Sequence, residues 1–533
     1  MYARLARTLP RYLRARDTLD VGRRRLAECF GNRERNFLEL AERSIYGHPG
    51  SPYLPLLRRA GCELEDLRRL VTQDGLEVAL RRLRAEGVYV RFEESKGREP
   101  ITRGSLAYAV DVADFDNPRA HRHLVGFSSG STGARSRYPV DLDYMAFQSP
   151  IHLLVEKAQG IHDLPRATIR GTLPESSGFG GNLRGARHGR TPERWFAPVL
   201  EPPREPELRF RIAHAYVMGM MRLCGFEPAR PEPVRMDEVA KIAHWAADAV
   251  ARAGGSVVDC TPSMALRIAL AARDEDIDLA GTVFRTAGEA MTAAKKEAIA
   301  AAGARVVADY LMTGLYGAGY GCVNPAEAND QHLLTHHIAV IQGRRSVGAV
   351  EVDAFLFTSL LPFAPRVSLN LESDDYGVLE ERRCGCPVEE LGFSTHVRGV
   401  RSFKKLTAEG VTLVGTDMEH VLESVLPARF GGTALDYQLA EEEDERGFTR
   451  LCINVHPRVE LRDEAAVIDT VLAGLAKASI SADLAGRLWN QAGAIRVRRV
   501  APVLGGRGKL LPLHLLRRDG ASERIAEVAG VER

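Results

Sequence analysis

Residues 127–133 read Phe127-Ser128-Ser129-Gly130-Ser131-Thr132-Gly133 and close the apolar stretch Leu124–Phe127. Glycines let the backbone turn tightly and expose successive N–H groups, and the hydroxyls add donors. Such a loop holds phosphate oxygens without side-chain bulk. It is not a Walker loop, because no Gly-Lys-Ser/Thr end follows. The same residues admit a second enzyme reading. Gly126-Phe127-Ser128-Ser129-Gly130 fits the Gly-x-Ser-x-Gly nucleophile elbow, with Ser128 as the nucleophile of a hydrolase. That reading needs a downstream acid and then a His; with 15 His in the chain, partners are cheaply found. A plain Ser/Gly surface loop is the third reading.

Outward from this loop, the chain changes texture twice. Residues 1–100 look helical and charged, with Gly47, Pro49, Gly50 and Pro52 interrupting. From about residue 105, short apolar runs alternate with helical stretches, the pattern of a layered α/β domain. Ser256–Cys260 is β-prone, and Thr261-Pro262-Ser263 then opens a helix, with Thr261 as cap and Pro262 in the first turn. Thr292 starts an Ala-rich helix that Gly303 ends, and a β-prone run over 304–310 follows. Beyond Cys384-Gly385-Cys386-Pro387 the chain enters a smaller α+β region. There Asp417 is expected to cap a helix, 451–455 a strand and 463–479 a second helix. The expected organisation is a helical segment over 1–100, an α/β core over 101–398 and a small domain over 399–533.

The chain has 533 residues, 45% hydrophobic and 27% charged, ordinary for a globular enzyme with a large core. A net charge of +2 supplies no general field to recruit nucleic acid. The Arg-rich stretch 184–194 reads as a solvated loop before a binding stripe. No apolar run is long enough to span a membrane, and the basic segment 1–17 lacks the apolar block of an export signal. Eight scattered Cys without such a signal point to a reducing cytoplasm.

The seven-residue string resembles the phosphate loop of the adenylate-forming superfamily. Further pieces follow in that superfamily's order and look closest to phenylacetate–coenzyme A ligases. Ser51-Pro52-Tyr53 onward to 67 resembles the entry segment of that branch, and Thr261-Pro262-Ser263 its substrate-domain helix start. Thr286-Ala287-Gly288-Glu289 resembles the stretch whose backbone lies near adenine. Tyr310-Leu311-Met312-Thr313-Gly314 falls where Tyr-Gly-x-Thr-Glu is expected. Asp374-Asp375-Tyr376-Gly377 resembles the ribose-binding turn, and 505–510, with Gly508-Lys509, the C-terminal Gly-Lys loop.

The resemblance implies ATP-dependent activation of a small carboxylic acid through an acyl-adenylate, with Mg²⁺, and transfer to a thiol of coenzyme A or a carrier protein. Ser128, Ser129, Gly130, Ser131, Thr132 and Gly133 would cradle the β- and γ-phosphates. Thr313 would bond the α-phosphate, and Tyr310 would stack on adenine beside Gly288 and Glu289. Asp375, or Asp374, would accept from the ribose, and Arg401 joins this nucleotide set. Lys509 would bridge carboxylate and α-phosphate on a mobile small domain, with 399–402 as the hinge. The alternative is a degenerate member that binds nucleotide or a partner without turnover.

Three departures motivate that alternative. The loop continues Ala134-Arg135-Ser136-Arg137 instead of Pro-Lys, Leu311 replaces a Gly, and Gly314 replaces the Glu that helps hold Mg²⁺. Cys384-Gly385-Cys386, with Cys322 and His332 upstream, offers the thiolate and imidazole ligands of a structural Zn²⁺ site, with His336 and His337 as rival ligands. The acid pocket is expected between about 176 and 290. Phe179, His244, Trp245 and Met264 are candidates for its wall or for plain core. An aryl or medium acyl acid is the substrate that the resemblance suggests. A homodimer is the commonest oligomer and the default expectation.

Overall fold

The computed structural model describes residues 2–121, 123–127, 137–172, 177–198, 208–312, 314–347, 350–402, 407–408, 411–412, 418–443, 449–478, 495–505 and 509–515. The chain forms two compact units. The first comprises Met1–Arg344, Asp353–Arg401 and Gly506–Lys509, and the second Arg345–Val352, Ser402–Gly505 and Leu510–Arg533.

At the centre of the first unit lies a parallel sheet of six strands. In chain order these are Arg166–Ile169 (β1), Arg194–Pro198 (β2), Pro231–Val234 (β3), Ser256–Cys260 (β4), Thr282–Ala287 (β5) and Arg305–Asp309 (β6). Their spatial order is β6-β5-β4-β1-β2-β3, every pair parallel. The order reverses between β1 and β4, which makes the carboxyl ends of these two strands a topological switch point. β5 is buried along its whole length, as a strand covered on both faces must be.

Two of the helices that cover this sheet start where the sequence predicts. The Thr261 hydroxyl accepts from the Met264 N–H and opens Pro262–Asp274, and Thr292 does the same for Ala293–Ala300. The Asp141 carboxylate accepts from Asp143 and Tyr144 and caps Leu142–Ala158. Side chains alternate across each strand. Ala167, Val258, Phe284 and Ala308 therefore point into one apolar layer with Trp245, Met264 and Ile268. The opposite face carries Val257, Val283 and Val307, and with them the charged residues described below.

A second six-stranded sheet follows: Gly319–Gly321 (β7), Asp330–Leu333 (β8), Ile338–Val347 (β9), Val350–Ser359 (β10), Leu371–Glu381 (β11) and Thr395–Ser402 (β12), in the order β7-β8-β12-β11-β10-β9. The N-terminal helices pack with it. Phe37, Leu40, Leu56 and Leu80 share a core with Ile341, Leu356 and Leu369. The second unit holds a four-stranded mixed sheet of Tyr437–Glu443 (β13), Thr449–Val455 (β14), Ile495–Arg498 (β15) and Leu513–Leu515 (β16), ordered β15-β14-β13-β16. Its helix Glu464–Ala478 is capped by Asp463. The architecture is thus the expected large layered α/β domain followed by a smaller α+β domain. Asp417, expected to cap a helix, lies outside the described residues; the helical stretch there runs Met418–His420, one π-type turn over Val421–Val425 and Leu426–Phe430.

Candidate functional site

The carboxyl ends of β4, β5 and β6 bring three sequence-predicted segments side by side. Asp309 pairs with Ala287, and Cys260 with Thr286, so Tyr310 and Gly288-Glu289 leave the sheet on neighbouring strands. Gly288 takes φ +91°, which makes room for the turn. One oxygen of Glu289 accepts from the Ser263 hydroxyl at 2.6 Å and from its N–H at 3.2 Å, clamping the β5 turn to the helix that follows β4. Its other oxygen is buried without a partner.

Asp375 reaches this edge from the second sheet. Leu356 faces Glu372 and Ala354 faces Tyr376, so β11 carries two extra residues against β10. Such a bulge re-aims side chains. The Ser373 hydroxyl donates to Phe355 O at 3.1 Å and accepts the Asp375 N–H at 3.2 Å, filling the gap. Asp375 then accepts the Tyr310 phenol proton at 2.8 Å. Burial, with Asp375 alongside, pushes the Tyr310 phenol well above its ordinary value, so it stays a donor. Asp374 is a neighbour in the same bulge, and Arg401 lies near the end of β12.

Ser128, Ser129, Gly130, Ser131, Thr132, Gly133 and Thr313 lie outside the described residues, as do Arg135 and the Lys509 side chain. Lys509 opens the short strand Lys509–Leu510. Leu124–Phe127 pairs antiparallel with Arg137–Val140, Phe127 opposite Arg137. This hairpin corrects the nucleophile-elbow reading of Ser128. An elbow passes from a parallel strand into a helix, whereas this strand lies in a two-stranded antiparallel sheet. Arg137 is committed to Asp116 at 2.9 Å. Gly314 takes φ +92°, and a Cβ there would sit 3.1 Å from Arg366 Cδ. Arg366 is buried, donates to Ser95 O at 3.1 Å, stacks over Phe115 and leaves its Nε unpartnered. With a guanidinium against it and no carboxylate, position 314 does not fit a divalent cation.

Beneath this edge, on the face of the parallel sheet opposite the apolar layer, is a cavity of about 450 Å³. Its floor is a row of alternating charges from four adjacent strands: Asp309 on β6, Arg285 on β5, Asp259 on β4 and Arg166 on β1. The helix Leu142–Ala158 lays Glu156 over the row. Arg285 bonds Glu156 and Asp309, both at 2.8 Å, and Arg166 reaches Asp259 at 3.0 Å and Glu156 at 3.2 Å. Burial alone would raise Glu156; Arg166, His162, His188 and Arg285 override it and hold the carboxyl well below 4.5. His152, one turn earlier, meets Arg184, Arg285 and the Tyr320 hydroxyl. Burial and the two guanidinium groups push its pKa well down, so it is neutral.

Of these cavity residues only Arg184 was named by sequence reasoning, in the stretch 184–194 read as a solvated loop; it instead lies in the helix Ser177–Arg187 and lines the cavity. The available signal was a charged residue within each of these largely apolar strands, and His152 and Glu156 one turn apart in the mainly apolar second half of a helix. The expected wall residues are elsewhere. Trp245 and Met264 belong to the apolar layer, Phe179 packs on Trp195 and His214, and His244 is exposed and bonded to Glu275.

Cys322, His332, Cys384 and Cys386 converge, with one ligand atom of each within 4.8 Å of the others. His332 Nδ1 lies 2.7 Å from Phe393 O, a donor contact that frees Nε2 to face Cys386 Sγ at 3.1 Å and Cys384 Sγ at 3.7 Å. Glu389 accepts from the N–H groups of Cys384 and Gly385 and fixes the Cys-Gly-Cys turn. This donor set and its outer support fit zinc. His336 and His337 stand apart: His336 Nε2 contacts Gln148, and His337 contacts His336 and Leu315 O.

No described helix is long and apolar enough to cross a membrane. No protein-family model and no curated protein matches the chain. Among solved structures, it is similar to the anthranilate CoA ligase AuaEII in complex with anthranoyl-AMP, at 12% identity and a TM-score of 0.45, over 76% of this chain and 67% of that one. It is similar to O-succinylbenzoate coenzyme A synthetase (MenE) from Bacillus subtilis, in complex with ATP and magnesium ion, at 13% identity and a TM-score of 0.43, over 91% and 93% of the two chains. The functional reading rests on this chain's own residues.

Proposed function

We propose that this protein activates a carboxylic acid with ATP, forming an acyl-adenylate and pyrophosphate, and passes the acyl group to the thiol of coenzyme A or a carrier protein. The observation that carries the reading is the Tyr310–Asp375 hydrogen bond at the carboxyl edge of the parallel sheet, next to Gly288-Glu289. In this reading, Tyr310 presents its ring to adenine and Asp375 accepts from the ribose, with Asp374 beside it. The backbone of Gly288-Glu289 borders the base, and Arg401 belongs to the same site. The 128–133 loop binds phosphates, and Thr313 the α-phosphate. Lys509 supplies a cation where charge builds between carboxylate and α-phosphate. No step is assigned to a metal at position 314. Cys322, His332, Cys384 and Cys386 would hold a structural Zn²⁺ with all four positions filled by protein.

Gly314 against Arg366 favours one second reading, nucleotide binding without turnover. Pyrophosphate exchange into ATP, run over a panel of acids in the natural protein and in Lys509→Ala, decides between them. Acid-dependent exchange lost in Lys509→Ala supports activation. Nucleotide binding by calorimetry without exchange supports the second reading.

A further inference from the structure

The charge pairing under the carboxyl edge leaves one guanidinium over. Arg166 and Arg285 are each held by two carboxylates. Arg184, from the helix Ser177–Arg187, lines the same cavity, and its one side-chain partner among the described residues is the neutral ring of His152. Among the described residues no carboxylate lies within ion-pair distance of Arg184; burial and Arg285 work against its charge, and the more distant Glu156 offsets them only in part. A guanidinium has five N–H donors. One imidazole nitrogen uses one of them, and the rest are not sealed in protein: none is a buried atom without a partner. They face the cavity.

The chemistry of the wall limits what fills it. A purely aryl or alkyl chain would desolvate Arg184 without replacing its hydrogen bonds. Leaving a charged donor buried and unpaired is strongly unfavourable. A carboxylate meets the guanidinium fork with two parallel, charge-assisted bonds. Thr286, Ala287 and Leu311 line the same cavity, beside the turn that carries Glu289 and next to Tyr310. A ligand could therefore hold Arg184 with one end and present its other end at that edge.

We propose that Arg184 anchors a second carboxylate of the substrate, so that the acid taken by this cavity is a dicarboxylic acid and not a simple aryl or fatty acid. This rests on the carboxylate-activating reading for the fate of the first carboxylate, but the anchoring is a binding claim and is testable without ATP. The test uses matched pairs, glutarate against pentanoate, adipate against hexanoate and 4-carboxyphenylacetate against phenylacetate. Each is titrated calorimetrically at up to millimolar concentration into the full chain, Arg184→Gln and Arg184→Lys. At least one dicarboxylate is expected to bind about tenfold or more tighter than its partner. Arg184→Gln is expected to erase that difference, with its melting temperature retained, and Arg184→Lys to keep part of it. Equal or tighter binding of the monocarboxylates, no dicarboxylate binding at all, or a difference unchanged in Arg184→Gln overturns the proposal. Pyrophosphate exchange on the same samples separates the two readings. Dicarboxylate binding without exchange keeps the anchor and removes activation, whereas exchange that prefers monocarboxylates keeps activation and removes the anchor.

Discussion

The Tyr310 phenol donates to the Asp375 carboxylate at 2.8 Å, joining residues 65 positions apart from two different sheets. The bond aims a carboxylate from a β-bulge at the carboxyl edge of the parallel strands. If Asp375 binds ribose, Asp375→Ala should weaken ATP and AMP binding by roughly tenfold to a hundredfold, the range of a hydrogen bond to a charged group. Tyr310→Phe keeps the ring and loses the bond, so its loss should be smaller. Calorimetric titration with AMP measures both, and wild-type affinity in Asp375→Ala would sink the assignment.

Restoring a carboxylate at position 314 is expected to fail for a structural reason. The residue sits at φ +92°, where a side chain is strained, and its Cβ would press on Arg366 Cδ at 3.1 Å. Gly314→Glu should destabilise by about 1–3 kcal/mol. Adding Arg366→Ala should relieve the contact but not the backbone strain. A melting temperature for Gly314→Glu equal to the natural protein's contradicts this.

The Cys/His cluster should purify with one zinc per chain, read by elemental analysis. Removing the metal with a chelator should lower the melting temperature, since binding energy at such a site is folding energy. Cys386→Ser should lose both metal and stability, whereas Cys224→Ser, remote from the cluster, should lose neither. Metal-free protein of full stability would end the assignment.

Glu156 holds Arg166 and Arg285 together. Glu156→Gln leaves both buried guanidinium groups short of one carboxylate, and the expected loss is on the order of 3 kcal/mol. Urea unfolding of the variant against Lys157→Gln, an exposed neighbour, isolates the effect. Similar midpoints for the two would show the network to be dispensable.

Stability should fall with acid in two stages. Burial pushes His152 and His336 well below 6.5 and His337 to about 4. The unfolded chain therefore binds more protons than the folded one as pH drops through 6.5, and stability declines from there. Glu156, also depressed, contributes stability that is full above about 4.5 and is lost below it. Urea midpoints at about pH 7.5 and about pH 5.5 should differ, and His337→Gln should reduce the difference. A midpoint that is flat over this range would refute the first stage.

Local chemistry was legible in the chain itself. Thr261-Pro262, Thr292 and Gly303 fixed helix ends because caps and positive-φ turns act within a few residues. Alternation of β-prone runs with helical stretches implied the layered α/β core; Cys384 and Cys386 stood out by residue type and spacing, and Tyr310 and Asp375 through the family resemblance. Other features depended on pairing across the fold. The strand order that creates the switch point, the bulge that aims Asp375, and the row Asp309–Arg285–Asp259–Arg166 arise from register between strands distant in sequence. A lone Arg or Asp within a largely apolar strand carries no label saying which neighbour neutralises it. Only the tertiary structure sets Arg166 and Arg285 between carboxylates and leaves Arg184 facing an open cavity, because the worth of a charge depends on what surrounds it once water is excluded.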